Sequence, residues 1–295
     1  MTNSTMTRSA RRNCLVATAG TLLAAVMFAA DPSAAQTAKP APFEPVVGQA
    51  GKDVIWVPTP PMLVERMLRM AQITPQDTVI DLGSGDGRIA IAAARDFKAR
   101  SFGMEYNPDM VALSRAEAEK AGVGARATFV QADIYKTDFS HATVLTMYLL
   151  PNINLDMRPI ILRMKPGTRV VSHQFNMGDW SPDDTADFSG RMAYMWIVPA
   201  RVEGKWALEA SANVPGFTLA LKQEYQRISG SAGPGNTTFG LREPMLWGER
   251  IRFSFVDDQG RLREFNGTVN GTTISGEMRT DGASPVLFSA RRTGD

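Results

Sequence analysis

The chain has 295 residues, enough for one large domain or two ordinary ones. Its 32 basic residues nearly cancel its 30 acidic ones, so no global field attracts nucleic acid, although a local patch is not excluded. One cysteine, Cys14, and two histidines, His141 and His173, are too few for a disulfide framework or a thiolate or histidine metal cluster, so no metal is expected.

The first 35 residues read as an export signal. Arg8, Arg11 and Arg12 precede an apolar, small-residue run of about 17 residues, 14–30, and Ser33-Ala34-Ala35 offers a cleavage site. Arg11-Arg12 suits a twin-arginine signal, and a Sec signal suits equally. Left uncleaved, the run would be a marginal single anchor and would associate the chain with a membrane. Basic residues before it and few after it place the following domain outside the cytoplasm, periplasmic or membrane-anchored. Residues 36–55 read as a Pro-rich linker.

From residue 56 the pattern is alternating strand and helix. Trp56-Val-Pro-Thr-Pro-Pro61 is stiff and extended, and Pro61 opens a helix to about residue 73 with Met62, Val64, Met67 and Leu68 on its apolar stripe. A strand over 78–82 feeds Gly83-Ser-Gly-Asp-Gly87 and then an alanine-rich helix to about residue 96. A second strand, 100–106, ends near Glu105, and Asn107-Pro-Asp109 caps a helix to residue 121. Strands follow at 127–130, 142–149 and 168–175, with a helix at 158–164 between the last two. This alternation predicts an α/β, Rossmann-like doubly wound sheet over 56–190.

Beyond it the helical period disappears. Residues 191–295 read as a smaller antiparallel all-β domain, with strands at 192–198, 205–210, 217–226, 249–256, 262–269, 272–278 and 286–291. Asn266-Gly267 and Asn270-Gly271 are tight-turn signals. The first strand or two of this tail could instead extend the preceding sheet.

The glycine turn selects a ligand class. Gly83, Gly85 and Gly87 permit a sharp reversal and close backbone approach at a helix N-terminus. A dinucleotide fingerprint needs its third glycine where this chain has Arg88. Asp81 at the strand end would repel a pyrophosphate and suits a cationic amino-acid group. Glu105, about 20 residues beyond the turn, is placed to accept both hydroxyls of a ribose.

Asp81-Leu-Gly-Ser-Gly-Asp-Gly87 resembles motif I of the class I (seven-β-strand) S-adenosylmethionine (AdoMet) methyltransferases. That resemblance implies AdoMet as cofactor, held by Asp81, Gly83, Ser84, Gly85, Gly87 and Glu105. It also puts Asp133 at the adenine amino group, with a helix-capping aspartate as the alternative, and Ile134 against the base. The strand ending Tyr148-Leu-Leu-Pro151-Asn152 lacks the Asn/Asp-Pro-Pro-Tyr of many amine methylators.

Val57-Pro-Thr-Pro60, Gly103-Met-Glu-Tyr-Asn-Pro108, Tyr148-Leu-Leu-Pro151 and Lys165-Pro-Gly-Thr-Arg-Val-Val171, in that order, resemble the ATP synthase c-subunit lysine N-methyltransferase family and its bacterial relatives. The resemblance covers roughly residues 57–183; the β-rich tail and the export signal lie outside it. It implies methylation of a protein lysine, with Thr59 in a segment that helps close the cofactor site. Tyr148, Pro151 and Asn152 are then candidates to line the acceptor channel. Tyr148 reads equally as a core aromatic, and His173 as a core histidine that could reach the crevice. Gly178-Asp179-Trp180 follows in a loop over the same edge. Small-molecule methylation is a second reading. An exported binding protein that keeps the fold without turnover is a third, because AdoMet is made in the cytoplasm.

Overall fold

The computed structural model describes residues 43–210, 216–235 and 237–294. The expected export signal or anchor, residues 1–35, and the start of the linker lie outside the described residues. No helix among the described residues is long and apolar enough to cross a membrane.

Proline sets the first element. Pro61 stands at the first turn of α1, Pro61–Met70, which buries Leu63, Val64, Met67 and Leu68. The parallel strands are β1 (Thr78–Leu82), β2 (Arg100–Glu105), β3 (Ala127–Gln131), β4 (Val144–Met147) and β5 (Arg169–His173). Between them run α2 (Arg88–Phe97), α3 (Pro108–Lys120) and α4 (Pro151–Ile161). Asn107 caps α3 as its sequence predicts, its side chain accepting from the Asp109 N–H.

Two further strands, β6 (Asp184–Phe188) and β7 (Arg191–Ile197), complete a seven-stranded sheet of order β3-β2-β1-β4-β5-β7-β6. β7 runs antiparallel to β5, so this is the class I methyltransferase sheet. The expected boundary at 190/191 therefore falls inside the β6–β7 hairpin, and the first strand of the supposed tail belongs to the first sheet. The alternation of β7 resembles that of the strands after it, so the sequence does not mark the change of sheet.

α4 also departs from expectation, starting at Pro151 rather than residue 158. A proline suits the first helical turn, where its missing N–H has no partner to lose.

The second sheet is antiparallel throughout, with order β11-β10-β9-β8-β16-β15-β14-β13-β12. Its strands are β8 (Gly204–Ala210), β9 (Phe217–Glu224), β10 (Arg227–Gly233), β11 (Phe239–Gly240), β12 (Arg242–Trp247), β13 (Arg250–Val256), β14 (Leu262–Asn270), β15 (Thr273–Thr280) and β16 (Val286–Gly294). Its two ends approach each other, so it is nearly a barrel. Trp206, Phe253, Phe255 and Phe265 fill the interior from alternate positions. The sequence reading joined β9 to the following turn and missed β10, β11 and β12. A turn built on Tyr225-Gln226 carries none of the usual glycine or asparagine signals.

Candidate functional site

The carboxyl ends of β1, β2 and β4 open into one cleft with a cavity of about 290 Å³. Asp81, Ser84, Glu105, Asp133 and Tyr148 all reach it, as do Gly83 and Gly85. Distant stretches of sequence therefore converge where the glycine turn predicts.

Asp81 is buried at the base and accepts a hydrogen bond from Thr146 Oγ1 at 2.7 Å. Burial pushes its carboxyl up to about 7, and the nearby Asp86 and Glu105 push the same way. Glu105 is held by two backbone donors, Gly85 N–H and Asn107 N–H, each 2.9 Å from a separate carboxylate oxygen. A carboxylate has about four acceptor positions, so further donors can still be accepted.

The glycine turn leaves room that a side chain would close. Gly85 has φ +55°, and a Cβ there would lie 2.7 Å from the Trp56 indole nitrogen. Gly87, also expected at the cofactor, instead lets Phe129 pack against the turn, where a Cβ would meet that ring at 2.7 Å. It lies outside the cavity wall.

The cleft has a second wall that the sequence reading assigned to a linker. Residues 49–56 fold back as a short strap: Gly48 N–H donates to Trp56 O at 2.8 Å, and Trp56 N–H to Gln49 O at 2.9 Å. Lys52 reaches across the cleft mouth to Asp133 at 3.2 Å, its ammonium 5.3 Å from the Tyr106 ring centre and 5.4 Å from that of Tyr135. Asp133 also accepts from Tyr135 N–H at 3.1 Å; this bond, joined by Lys52, holds its carboxyl below the usual range against desolvation. Asp133 therefore lines the cleft and starts a turn at 134–136, and no helix follows it to be capped. Nothing in the sequence pattern singles out Lys52.

Thr59 lines the cleft, yet its hydroxyl is spoken for: Oγ1 lies 3.0 Å from His173 Nδ1. His173 is fully buried, and its ring packs against Tyr148 with centroids 3.8 Å apart and planes tilted by 38°. Burial, with a smaller contribution from Arg191, pulls its imidazole down to about 4. It is neutral at ordinary pH. Phe175 continues the aromatic wall 6.3 Å from Tyr148.

Pro151 and Asn152 do not join this wall. Both are exposed on the first turn of α4, whereas Leu150 before them and Ile153 after them face the cavity. Starting the helix at Pro151 rotates those two positions outward.

The donor set fits AdoMet. Its ammonium would meet Asp81, a buried carboxyl that gains from a cation, and its ribose Glu105; Ser84 Oγ is buried and unpartnered. Arg88 is already engaged by Asp86 at 2.5 Å and by Thr59 O at 2.9 Å, so it offers no free cradle for phosphate. The seven-stranded sheet and this cleft define a class I AdoMet-dependent methyltransferase.

Residues 81–184 match the model of the ANTKMT methyltransferase domain. The protein-lysine N-methyltransferase of Saccharolobus islandicus is 45% identical over 133 residues, covering 44% of this chain and 83% of the relative. The mouse ATP synthase c-subunit lysine N-methyltransferase is 35% identical over 132 residues, covering 44% of this chain and 52% of that protein. The chain thus spans only about half of the mouse relative. A solved RNA methyltransferase of Salinibacter ruber, in complex with S-adenosyl-L-homocysteine, is 48% identical and covers 50% of this chain and 96% of its own, at TM-score 0.49. The rat ATP synthase c-subunit lysine N-methyltransferase is 33% identical over 155 residues, covering 52% of this chain and 70% of that protein, so the chain belongs to that family and is an AdoMet-dependent methyltransferase.

Proposed function

We propose that the acceptor is a protein lysine and that the reaction is direct, in-line N-methylation. The observation that carries this reading is the wall formed by Tyr148, Phe175, Leu150 and Ile153, apolar and aromatic beside a neutral histidine.

A lysine ammonium must lose its proton before it can attack, which costs about 4–5 kcal/mol at pH 7. An apolar channel disfavours the charged amine and so supplies part of this. His173 adds no second positive charge beside the amine, because burial keeps it neutral. Tyr148, fixed between His173 and Phe175, is placed to line the channel and orient the amine. At the cofactor end Asp81 and Glu105 bind and orient, and the Trp56 strap excludes water. AdoMet supplies the electrophilic methyl group, carried on a sulfonium.

The names of the relatives support a protein acceptor, since both curated relatives above are named as lysine methyltransferases. The basic residues Arg8, Arg11 and Arg12 ahead of the apolar run 14–30 support export, and fractionation of tagged full-length chain tests it; wholly cytoplasmic chain overturns it. For the acceptor, labelled-methyl AdoMet is incubated with the protein and with soluble protein, membrane protein, RNA and small-molecule fractions. Label on protein, localised to lysine by mass spectrometry, is expected. Label confined to RNA or to small molecules overturns the reading.

A further inference from the structure

The aromatic wall of the cleft is tied to the second sheet through a single turn. After β5 the chain passes through Phe175 into a loop, residues 176–183, that lies on α4. Arg158 of α4 donates to Met177 O at 2.7 Å and pairs with Asp179, while Asn154 Nδ2 donates to Phe175 O at 3.1 Å. The far side of that loop meets the β9–β10 turn. Gln226 grips it from both ends of its amide: Oε1 accepts from the Trp180 indole N–H at 3.0 Å, and Nε2 donates to Ser181 O at 2.7 Å. Tyr225 hydroxyl donates to Asp179 at 2.9 Å, and its ring stacks on Trp180 with centroids 6.0 Å apart. Arg158 lies over the same ring, 5.7 Å from its centre.

Two features mark this turn as more than a connector. Tyr225 has φ +54°, a left-handed conformation that a tight turn ordinarily gives to glycine or asparagine. A bulky residue is held there at a conformational cost because its ring and hydroxyl have partners. Trp180 is fully buried, so its indole N–H needs the Gln226 acceptor. The second sheet thus reaches into the methyltransferase half at the loop that follows Phe175.

We propose that Tyr225 and Gln226 are positioning residues for the acceptor side of the cleft: the second sheet holds loop 176–183, and through it Phe175, against Tyr148. This rests on the reading of that aromatic wall as the acceptor channel. Neither residue touches the cofactor end, so the two ends respond differently to their loss.

The test uses full-length chain carrying Gln226→Ala, Tyr225→Ala or Tyr225→Phe. Amide hydrogen exchange over residues 175–183 is expected to accelerate about tenfold or more in the two alanine variants. AdoMet affinity by calorimetry should stay within about twofold, while the apparent KM for membrane-extract protein in labelled-methyl transfer rises about tenfold. Tyr225→Phe keeps both ring contacts and should recover most of the loss. Accelerated exchange with an unchanged KM overturns the proposal. So does AdoMet affinity that falls in step with KM, which would signal general loosening. Wild-type chain that methylates no protein fraction removes the acceptor reading itself, and this failure is distinguishable because it appears before any variant is made.

Discussion

Thr146 donates a hydrogen bond to Asp81 across adjacent strands, 2.7 Å long and wholly shielded from water. It is the main interaction opposing the desolvation that raises the Asp81 carboxyl to about 7. A cation bound beside Asp81 would complete what Thr146 begins, so AdoMet binding is coupled to loss of the Asp81 proton. AdoMet affinity should therefore fall as pH drops below about 7, by up to about tenfold per pH unit. Asp81→Asn should remove this dependence and weaken binding about 30- to 100-fold. Calorimetry across pH 5.5–8.5 (roughly the working range) measures both.

The same shift has a stability consequence of definite sign. A carboxyl raised above its unfolded value of 3.8 stabilises the folded state at low pH, and the contribution is lost as pH rises through about 7. Ligand-free Asp81→Asn should therefore melt at or above the wild-type temperature at pH 8 while losing the AdoMet-induced rise in Tm. A lower Tm at pH 8 without ligand would contradict this account.

His173 carries the opposite slope. Its imidazole falls from 6.5 to about 4, so the unfolded chain binds the extra proton between those values and stability rises with pH across that window. Lowering pH from 7 to 5 should cost up to about 2 kcal/mol from this group, and His173→Asn should abolish that component in urea melts. The kcat profile should show no histidine limb near pH 6.5. Loss of the ring contact with Tyr148 in the same variant should lower kcat about tenfold with AdoMet affinity unchanged.

Gly85→Ala tests the strap. The new methyl would sit at positive φ and against the Trp56 indole. A destabilisation of about 1–2 kcal/mol is expected, together with AdoMet affinity reduced about tenfold or more. Trp56→Ala in the Gly85→Ala background should return part of the stability in thermal melts, since it removes the clash and leaves only the backbone strain.

Asp77 offers a control remote from the cleft. It is buried, accepts from Thr74 N–H at 2.8 Å and Thr143 Oγ1 at 2.7 Å, and pairs with Arg169. Asp77→Ala leaves the half-buried arginine unpaired and should cost about 3 kcal/mol in denaturant melts. AdoMet affinity at a temperature where the variant is folded should be unchanged.

The cofactor end was legible because its signals are local. Asp81, Gly83, Ser84 and Gly85 lie within one turn, and Glu105 follows at the end of the next strand, where parallel pairing of β1 with β2 brings it beside the turn. The α3 cap was legible for the same reason, since Asn107 and Asp109 are two residues apart. Pro151 and Asn152 were placed at the channel through the family resemblance, and the start of α4 at Pro151, which the sequence reading put at 158, turns both out of the cavity wall. Gly87 was assigned by its motif spacing, while its packing partner, Phe129, lies more than a strand away.

What the sequence alone determined is the chemistry of a crevice: a strand, a glycine turn and two carboxylates that select a cationic nucleoside. Short-range backbone geometry and residue type suffice for that, because they act within one or two elements. Only the tertiary structure decided the rest. It closed the strap of residues 49–56 over the cleft, buried His173 against Thr59 and Tyr148, and set the Tyr225–Gln226 turn against the loop behind Phe175. Each of these contacts joins residues that are dozens of positions apart, and none leaves a periodic or compositional trace. Burial decides their energies, and burial belongs to the folded chain.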